Sequence, residues 1–232
     1  MKIGIIGAIN QETERLKKII HFYIEKKINT YKIYIGKFKS HDVFLIKSGI
    51  GKVSASVATM ILIDLYKPDT IINSGSAGSL QSFLKIGDII IPKKTCYYDV
   101  DLTNFGYTRG QIPGYPKEFT VNEKICNFFK KNADKYQLKY IKGLILSGDT
   151  FVRENESIKI LKKQFPSAIA VEMESSAIAQ VCYKFNIPLI IIKSISDESD
   201  NNATVNFKEN IDFVSYQLSK FVKIILENLI DM

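Results

Sequence analysis

Two apolar runs in this chain end in acidic residues, and this pattern limits how the chain can fold. Residues 168–171 (Ala-Ile-Ala-Val) are followed by Glu172 and Glu174, and residues 189–192 (Leu-Ile-Ile-Ile) are followed by Asp197. Short runs of β-branched and aliphatic residues are typical of parallel strands buried on both faces. Carboxylates at the ends of such strands point towards the cleft where open α/β sheets bind ligands. The sequence therefore predicts an acidic site at the strand ends.

Length and composition are those of an ordinary soluble globular protein. The chain has 232 residues, of which 46% are hydrophobic and 24% charged, and α/β folds of this size commonly form one domain. We therefore expect residues 1–232 to form a single domain. The first residues do not resemble a signal peptide, and no apolar run approaches membrane-spanning length. Cys96, Cys126 and Cys182 are widely spaced and odd in number, which is typical of reduced thiols and predicts a cytoplasmic protein without membrane partners.

The formal net charge of +8 raises the possibility of nucleic-acid binding. Nearly all of the cations are lysines, however, and the three arginines are Arg15, Arg109 and Arg153. Surfaces that read bases favour arginine, and no nucleic-acid-binding motif accompanies the lysines. We interpret the lysines as a solvated surface and predict no nucleic-acid partner.

Periodicity predicts alternating strands and helices. The first elements are a strand at residues 2–8, a helix at 11–23, and a hairpin of strands at 30–38 and 43–48. A helix is predicted from Gly51 to just before Pro68, because Val53, Val57, Ile61 and Leu65 recur one turn apart. Further strands are predicted at 70–73, 88–92, 141–146 and 189–194, and helices at 123–136 and 158–165.

The C-terminal segment has the pattern of one long amphipathic helix. Apolar residues recur at helical spacing from Phe207 to Leu229, and Asn206 and Glu209 are spaced as a capping box. Together the elements predict an α/β fold, a three-layer α/β/α sandwich with a mixed central β-sheet.

Three small-residue segments lie at predicted strand ends, at residues 48–52, 73–78 and 147–149. Taken singly, each is more typical of a tight turn than of a ligand loop, and none has the spacing of a phosphate loop or a dinucleotide fingerprint. Their shared position at strand ends could bring several backbone N–H groups to one ligand.

In combination, these segments resemble the 5'-methylthioadenosine/S-adenosylhomocysteine nucleosidases of the nucleoside phosphorylase superfamily. The matches follow in order along nearly the whole chain. They are Gly4-Ile5-Ile6-Gly7-Ala8 with Glu12, Ser48-Gly49-Ile50-Gly51-Lys52-Val53, Ile71-Ile72-Asn73-Ser74-Gly75-Ser76-Ala77-Gly78, Gly87-Asp88-Ile89, Phe105-Gly106-Tyr107, Gly110-Gln111-Ile112-Pro113-Gly114, Ser147-Gly148-Asp149 with Phe151, Val171-Glu172-Met173-Glu174 and Ser194-Ile195-Ser196-Asp197.

The resemblance implies a phosphorylase/hydrolase-like fold and hydrolysis of the bond between adenine and ribose. The implied substrates are 5'-methylthioadenosine, S-adenosylhomocysteine and 5'-deoxyadenosine, and the implied role is methionine salvage and removal of methyl-cycle by-products. The family's reaction uses no cofactor, and we expect no metal, since His21 and His41 form no ligand cluster in the sequence.

Three carboxylates match the family's catalytic residues. Asp197 matches the acid that protonates adenine N7, Glu12 the base that activates water, and Glu174 the residue that binds the ribose hydroxyls. Without the resemblance, Asp197 is equally consistent with a helix cap or a member of the solvated run 197–200, and Glu12 is better explained as a residue that complements a helix dipole. The alternative for Glu174 is a first-turn glutamate of the helix that begins around Ser175.

Other positions match the family's binding residues. Phe151 and Val152 match the adenine platform, Met173 and Glu172 lie beside the ribose-binding glutamate, and Ile50 and Phe207 match the pocket for the 5'-alkylthio group. In the family a second subunit closes that pocket with the residues matching Phe105 and Pro113, which implies a homodimer. The remaining expected substrate-binding residues are Ile9, Ser76, Ala77, Gly78, Lys193 and Ser196.

Two departures from the family pattern lie beside the expected site. Ile9-Asn10-Gln11 stands where relatives often carry Met-Glu-Glu, and Lys193 stands where they often have an arginine near the attacking water. Lysine keeps the charge without the planar fork, which predicts altered positioning of that water.

The two alternatives to hydrolysis are phosphorolysis and nucleoside binding without catalysis. A purine nucleoside phosphorylase needs an anion site, but the segment 73–76 lacks the arginine that related phosphorylases carry there, and Glu12 would repel phosphate. A catalytically idle nucleoside-binding protein has no need of both an acid and a base. The sequence therefore favours the hydrolase.

Overall fold

The computed structural model describes residues 1–121, 125–128, 131–132 and 140–229. Within these residues, twelve strands form one mixed sheet. The strands are β1 (Lys2–Gly7), β2 (His21–Ile28), β3 (Tyr31–Phe38), β4 (His41–Lys47), β5 (Thr70–Ser79), β6 (Ile89–Ile90), β7 (Lys94–Tyr97), β8 (Phe119–Thr120), β9 (Tyr140–Ile141), β10 (Leu144–Ser147), β11 (Ala168–Glu172) and β12 (Leu189–Asp197). The helices with assigned bounds are α1 (Asn10–Lys17), α2 (Lys52–Tyr66), α3 (Asn155–Gln164), α4 (Ser175–Phe185) and α5 (Ala203–Asn228), with a 3-10 turn at Thr103–Phe105.

The sheet combines parallel and antiparallel pairs of strands. Its main path runs β2-β3-β4-β1-β5-β11-β10-β7-β8, and β12 pairs with β5 on a branch that continues to β6 and β9. Strands β4, β1, β5 and β12 are mutually parallel, whereas β11 pairs with the end of β5 in the antiparallel sense. The predicted mixed sheet is confirmed.

Helices cover both faces of this sheet because its central strands are apolar on both sides. On one face, Ile190 and Ile192 of β12 pack in the cluster that contains α1 and α5. On the other face, Leu189 and Ile191 pack in the cluster that contains α2 and α4. This alternation produces the predicted three-layer α/β/α sandwich.

Strand ends converge at one edge of the sheet. In the pairing of β12 with β5, Asp197 lies opposite Gly78 after a register irregularity that follows Ile195. On the other side of β5, Val171 of β11 also pairs with Gly78. Gly78 is thus held between the two strands whose ends carry the acidic residues.

Some predicted boundaries are wrong. The predicted helix at 11–23 ends at Lys17, because residues from His21 onward pair with β3 as a largely exposed edge strand. The C-terminal helix begins at Ala203, one turn before the predicted cap at Asn206. The predicted helix at 123–136 falls largely outside the described residues, of which 125–128 and 131–132 are helical.

Helix α2 forms as predicted, but most of the apolar residues that indicated its periodicity do not face the core. Ala55, Ala58 and Leu62 are buried, whereas Val53 and Val57 are exposed. Small residues allow α2 to approach the sheet and α4 closely, which leaves an apolar stripe on the surface.

Among the helices in the described part of the chain, none combines the length and the apolar character needed to cross a membrane.

Candidate active site

A pocket of about 270 Å³ opens at the edge where the strand ends converge. It is bounded by residues from the ends of β1, β5, β11 and β12, from the loop after β10, and from the first turns of α1 and α5. The predicted site residues that line it are Ile9, Glu12, Ile50, Ser76, Ala77, Gly78, Phe151, Val152, Glu172, Met173, Glu174, Ser196, Asp197 and Phe207.

Glu12 is buried at the start of α1 and is fixed by donors from two strand ends. Its Oε2 accepts hydrogen bonds from the backbone N–H groups of Ala8 at 2.8 Å and Ile9 at 3.3 Å. Its Oε1 accepts from Ser76 through the backbone N–H at 2.9 Å and the hydroxyl at 3.2 Å. The carboxylate is therefore held in one orientation beside the ends of β1 and β5.

There is little room for a side chain at Gly75, because two charged groups lie beside it. A Cβ atom at Gly75 would be 3.1 Å from Glu12 Oε1 and 3.1 Å from Lys193 Nζ. The Glu12 carboxylate and the Lys193 ammonium thus occupy the space next to β5 that a larger residue would fill.

Asp197 is buried at the end of β12. Its Oδ2 accepts a hydrogen bond from Ser196 Oγ at 2.7 Å, and its Oδ1 accepts one from the Ser199 backbone N–H at 3.0 Å. Burial raises the pKa of Asp197, with a smaller contribution from the charge of Asp200, while the two hydrogen bonds partly offset that rise. This environment favours a carboxyl that holds its proton until a base accepts it.

Glu174 is also buried, at the N-terminal end of α4. Burial and the nearby Glu172 charge raise the pKa of Glu174 to about 8, although Lys193 and a 2.9 Å hydrogen bond from the Gly51 N–H act in the opposite direction. Glu174 and Asp197 are thus two carboxyls of the same pocket whose environments favour the protonated form.

In contrast to Glu174 and Asp197, Glu172 has a lowered pKa, because it is paired with a cation. Lys193 Nζ lies 2.8 Å from Glu172 Oε2, with both side chains almost fully buried. Burial opposes ionisation, but the Lys193 charge and the hydrogen bonds that Glu172 accepts outweigh it, so the pKa of Glu172 is lowered. Burial likewise opposes the charge on Lys193, yet Glu172, Glu174 and Glu12 together raise its pKa.

The same carboxylate organises the start of α4. Glu172 accepts hydrogen bonds from the backbone N–H of Glu174 at 3.1 Å and of Ser175 at 3.0 Å, and from the Ser147 hydroxyl. Ser147 in turn accepts from the Ser176 N–H at 2.8 Å. These bonds satisfy N–H groups that a helix start leaves without intrahelical partners.

The apolar end of the pocket is formed by rings and aliphatic side chains. Phe151 and Phe207 pack edge to face with ring centroids 6.0 Å apart. Phe151 and Ile50 remain 40% and 59% exposed, so this end of the pocket is open to solvent in a single subunit.

Three predicted site residues do not line the pocket of this subunit. Lys193 lies behind its wall in the pair with Glu172. Phe105 is 76% exposed in the 3-10 turn, and Pro113 is exposed in the loop that follows.

Sequence reasoning missed five lining residues, which are Ala8, Thr150, Val171, Ser199 and Thr204. Ala8, Thr150 and Val171 immediately precede predicted site residues, so proximity in the chain was an available signal. Ser199 lies in the turn between β12 and α5, and Thr204 lies in the first turn of α5, ahead of Phe207, where the predicted helical pattern begins.

The chain matches the phosphorylase superfamily over residues 2–231. A 5'-methylthioadenosine/S-adenosylhomocysteine nucleosidase of Buchnera aphidicola subsp. Acyrthosiphon pisum (strain Tuc7) is 99% identical over 232 residues, which covers 100% of both chains. The chain belongs to the 5'-methylthioadenosine/S-adenosylhomocysteine nucleosidases.

More distant members of this nucleosidase family also match the chain over almost its whole length. The enzyme of Haemophilus influenzae (strain PittEE) is 42% identical over 229 residues, covering 99% of this chain and 100% of that one. The crystal structure of the Neisseria meningitidis nucleosidase in complex with methylthio-immucillin-A has a TM-score of 0.94 and 36% identity, covering 98% of this chain and 99% of that one. The family predicted from the sequence is confirmed, and the activity is hydrolysis of 5'-methylthioadenosine and S-adenosylhomocysteine.

The pairing of Lys193 with Glu172 predicts a specific pattern of stability. Lys193→Met leaves a buried carboxylate without its cation, so we expect the free energy of unfolding to fall by about 3–5 kcal/mol. Lys193→Arg keeps the charge and should lose much less. The double variant Glu172→Met with Lys193→Met should recover part of the loss, because it removes both charges.

Urea denaturation at neutral pH provides the measurement for all three variants. A Lys193→Met protein as stable as the unmodified chain, or a double variant less stable than Lys193→Met alone, would contradict the role of this pair.

Proposed function

We propose that Asp197 is the general acid, Glu12 the base that activates water, and Glu174 the ligand of the ribose hydroxyls. The observation that carries this assignment is that three buried carboxyl groups border one pocket in three different hydrogen-bonding environments. We infer that 5'-deoxyadenosine is a substrate as well, because the alkylthio end of the pocket is apolar and open and makes no demand for sulfur.

The reaction develops positive charge on the sugar and negative charge on the departing purine. Transition states of glycoside cleavage resemble an oxocarbenium ion, so a proton donor on the purine side and a carboxylate near the sugar both lower the barrier. The raised pKa of Asp197 is a shift in the direction that favours a proton donor.

Glu12 suits the role of base because of its fixed orientation. Its hydrogen-bond donors come from Ala8, Ile9 and Ser76, and none of them is a cation. A water molecule beside this carboxylate can donate one proton to it and direct a lone pair at the anomeric carbon.

Glu174 suits the sugar hydroxyls because burial and the Glu172 charge, which raise its pKa, leave a carboxyl that further hydrogen-bond donors would stabilise. Within the described part of the chain, its carboxyl accepts a hydrogen bond from the Gly51 N–H. Two vicinal ribose hydroxyls can donate to the two carboxylate oxygens, which would lower that pKa again on binding.

The charge balance near the pocket favours water over phosphate as the nucleophile. Lys193 is committed to Glu172, and Glu12 already accepts the N–H and hydroxyl donors of Ser76. Phosphate would meet carboxylates there without a free cation among the described lining residues. This supports hydrolysis rather than phosphorolysis.

Removing the acid or the base should lower the rate by a similar order. We expect Asp197→Asn and Glu12→Gln each to reduce kcat for 5'-methylthioadenosine by about 10²–10⁴-fold, the usual contribution of general acid–base catalysis. Adenine release by chromatography is the readout.

Exposed acidic residues on helices α1 and α5 serve as controls. Glu14→Gln on α1 and Asp212→Asn on α5 should leave kcat unchanged, because both side chains lie outside the pocket. Unchanged adenine release by Asp197→Asn would refute the assignment of the acid.

We further propose that the active form is a homodimer formed through the faces of α2 and α4. Val57 on α2 and Phe185 on α4 are both exposed and border a groove between these helices. The apolar surface extends to Val53, 75% exposed, in the first turn after Ile50 at the pocket mouth. A second copy on this surface would bury apolar side chains that single subunits rarely expose together.

The dimer proposal accounts for Phe105 and Pro113, which we infer close the alkylthio end of the partner's pocket. Both are exposed within one subunit, and that end of the pocket is open. We also infer that residues 1–232 form one nucleosidase domain and that the protein acts in the cytoplasm without nucleic-acid partners. The three buried, free cysteines are compatible with a reducing compartment.

A charge placed on the α2 surface should separate the subunits. We expect Val57→Glu to convert the dimer to a monomer in sedimentation experiments and to raise KM for 5'-methylthioadenosine, since the pocket then lacks its second wall. Ile160→Glu, at an equally exposed apolar position on α3, should leave both unchanged. A fully active monomeric wild-type protein would contradict the proposal.

A further inference from the structure

Ser199 combines two unfavourable features two residues after the proposed acid. Its backbone is left-handed, with φ of 55°, a region that non-glycine residues seldom occupy. Its side chain is fully buried, and its hydroxyl has no hydrogen-bond partner among the described residues. A buried donor left without a partner costs about 1–3 kcal/mol, so such a combination persists where the surroundings impose it.

The hydroxyl is directed at the same point as the acid. A Cβ atom at Gly78 would overlap Ser199 Oγ and would lie 2.8 Å from Asp197 Oδ1. The space next to Gly78 is therefore filled by the Ser199 hydroxyl and the Asp197 carboxyl together. Ser199 also borders the pocket, and its backbone N–H already donates to Asp197 Oδ1 at 3.0 Å.

Asp197 needs different partners before and after it gives up its proton. In the structure, Oδ2 accepts from Ser196 Oγ and Oδ1 accepts from the Ser199 N–H. When the proton passes to the purine, both oxygens become acceptors of a full negative charge, and Oδ1 has room for a further donor. The Ser199 hydroxyl, which shares the space next to Gly78 with Oδ1, can rotate about its Cα–Cβ and Cβ–Oγ bonds to donate this hydrogen bond.

We propose that Ser199 is a positioning residue that stabilises the Asp197 carboxylate formed as the purine is protonated, through a hydrogen bond from its hydroxyl to Oδ1. The bond is made only once charge develops, so it stabilises the transition state more than the resting enzyme. This inference rests on the assignment of Asp197 as the general acid.

Few charged groups compete with this effect. On the Asp197 loop itself, Asp200 raises the pKa of Asp197, and Glu198 is exposed. Strand β5 presents the uncharged Ala77 and Gly78, and α5 presents Thr204 and Phe207. The other ionisable groups at or behind the pocket wall are Glu12, Glu172, Glu174 and Lys193. None of these is altered by a substitution at Ser199, so a comparison of variants isolates the hydroxyl.

Ser199→Ala and Ser199→Gly test the proposal together. Both remove the hydroxyl, but glycine relaxes the left-handed backbone whereas alanine does not. We expect each to lower kcat for 5'-methylthioadenosine by about 10-fold, the effect of losing one hydrogen bond to a charged group, with KM little changed.

The pH profile gives a second, independent readout. The hydroxyl favours the ionised form of Asp197, so its removal should raise the pKa of Asp197. The high-pH limb of kcat/KM, which requires the protonated acid, should then move to higher pH in both variants. Ser215→Ala, which removes another buried and unpartnered hydroxyl on α5, should change neither kcat nor the limb.

The outcomes separate this inference from the assignment on which it rests. Wild-type kcat and an unmoved limb in both Ser199 variants would overturn it, as would a loss confined to KM or found in Ser199→Ala but not in Ser199→Gly, which would indicate a role in loop structure alone. Full activity of Asp197→Asn would instead remove the general-acid assignment itself.

Discussion

One buried ion pair supports the whole acidic edge of this sheet. Lys193 on β12 pairs with Glu172 at the end of β11, and Glu172 also binds Ser147 of β10 and the first N–H groups of α4. Three strands and a helix therefore depend on one carboxylate keeping its charge. Because Lys193 is also near Glu12 and Glu174, it offsets the repulsion among three carboxyls that lie in or beside one pocket.

Glu172 is paired with Lys193, whereas the other acidic residues of the pocket differ in their hydrogen-bond partners and in their pKa shifts. Glu174 and Asp197 are buried without a partner cation, which raises both of their pKa values. Glu12 is oriented by backbone N–H groups and by Ser76. One pocket thus holds carboxyl groups in different environments, which suits the separate acid and base roles proposed for Asp197 and Glu12.

The sequence predicted the features that depend on local pattern. Buried strands ending in Glu172 and Asp197 were visible as apolar runs, and ordered motifs indicated the family and the residues around the pocket. It did not predict β2, because an edge strand is defined by its pairing with β3 rather than by its own periodicity. Nor did it predict which face of α2 is buried, or that Lys193 pairs with Glu172 and does not line the pocket, because both depend on how closely neighbouring elements approach. Ser199 was missed for a similar reason, since its importance lies in a backbone angle and in the absence of a side chain at Gly78.

We infer that the carboxyl groups of this pocket direct water, and not phosphate, to the sugar. The most direct test is to incubate the purified protein with 5'-methylthioadenosine in the presence and absence of phosphate and to identify the sugar product. We expect adenine and free methylthioribose to form at a rate that does not depend on phosphate. Formation of methylthioribose 1-phosphate, and only when phosphate is present, would contradict it and would mean that the pocket holds an anion despite its carboxylates.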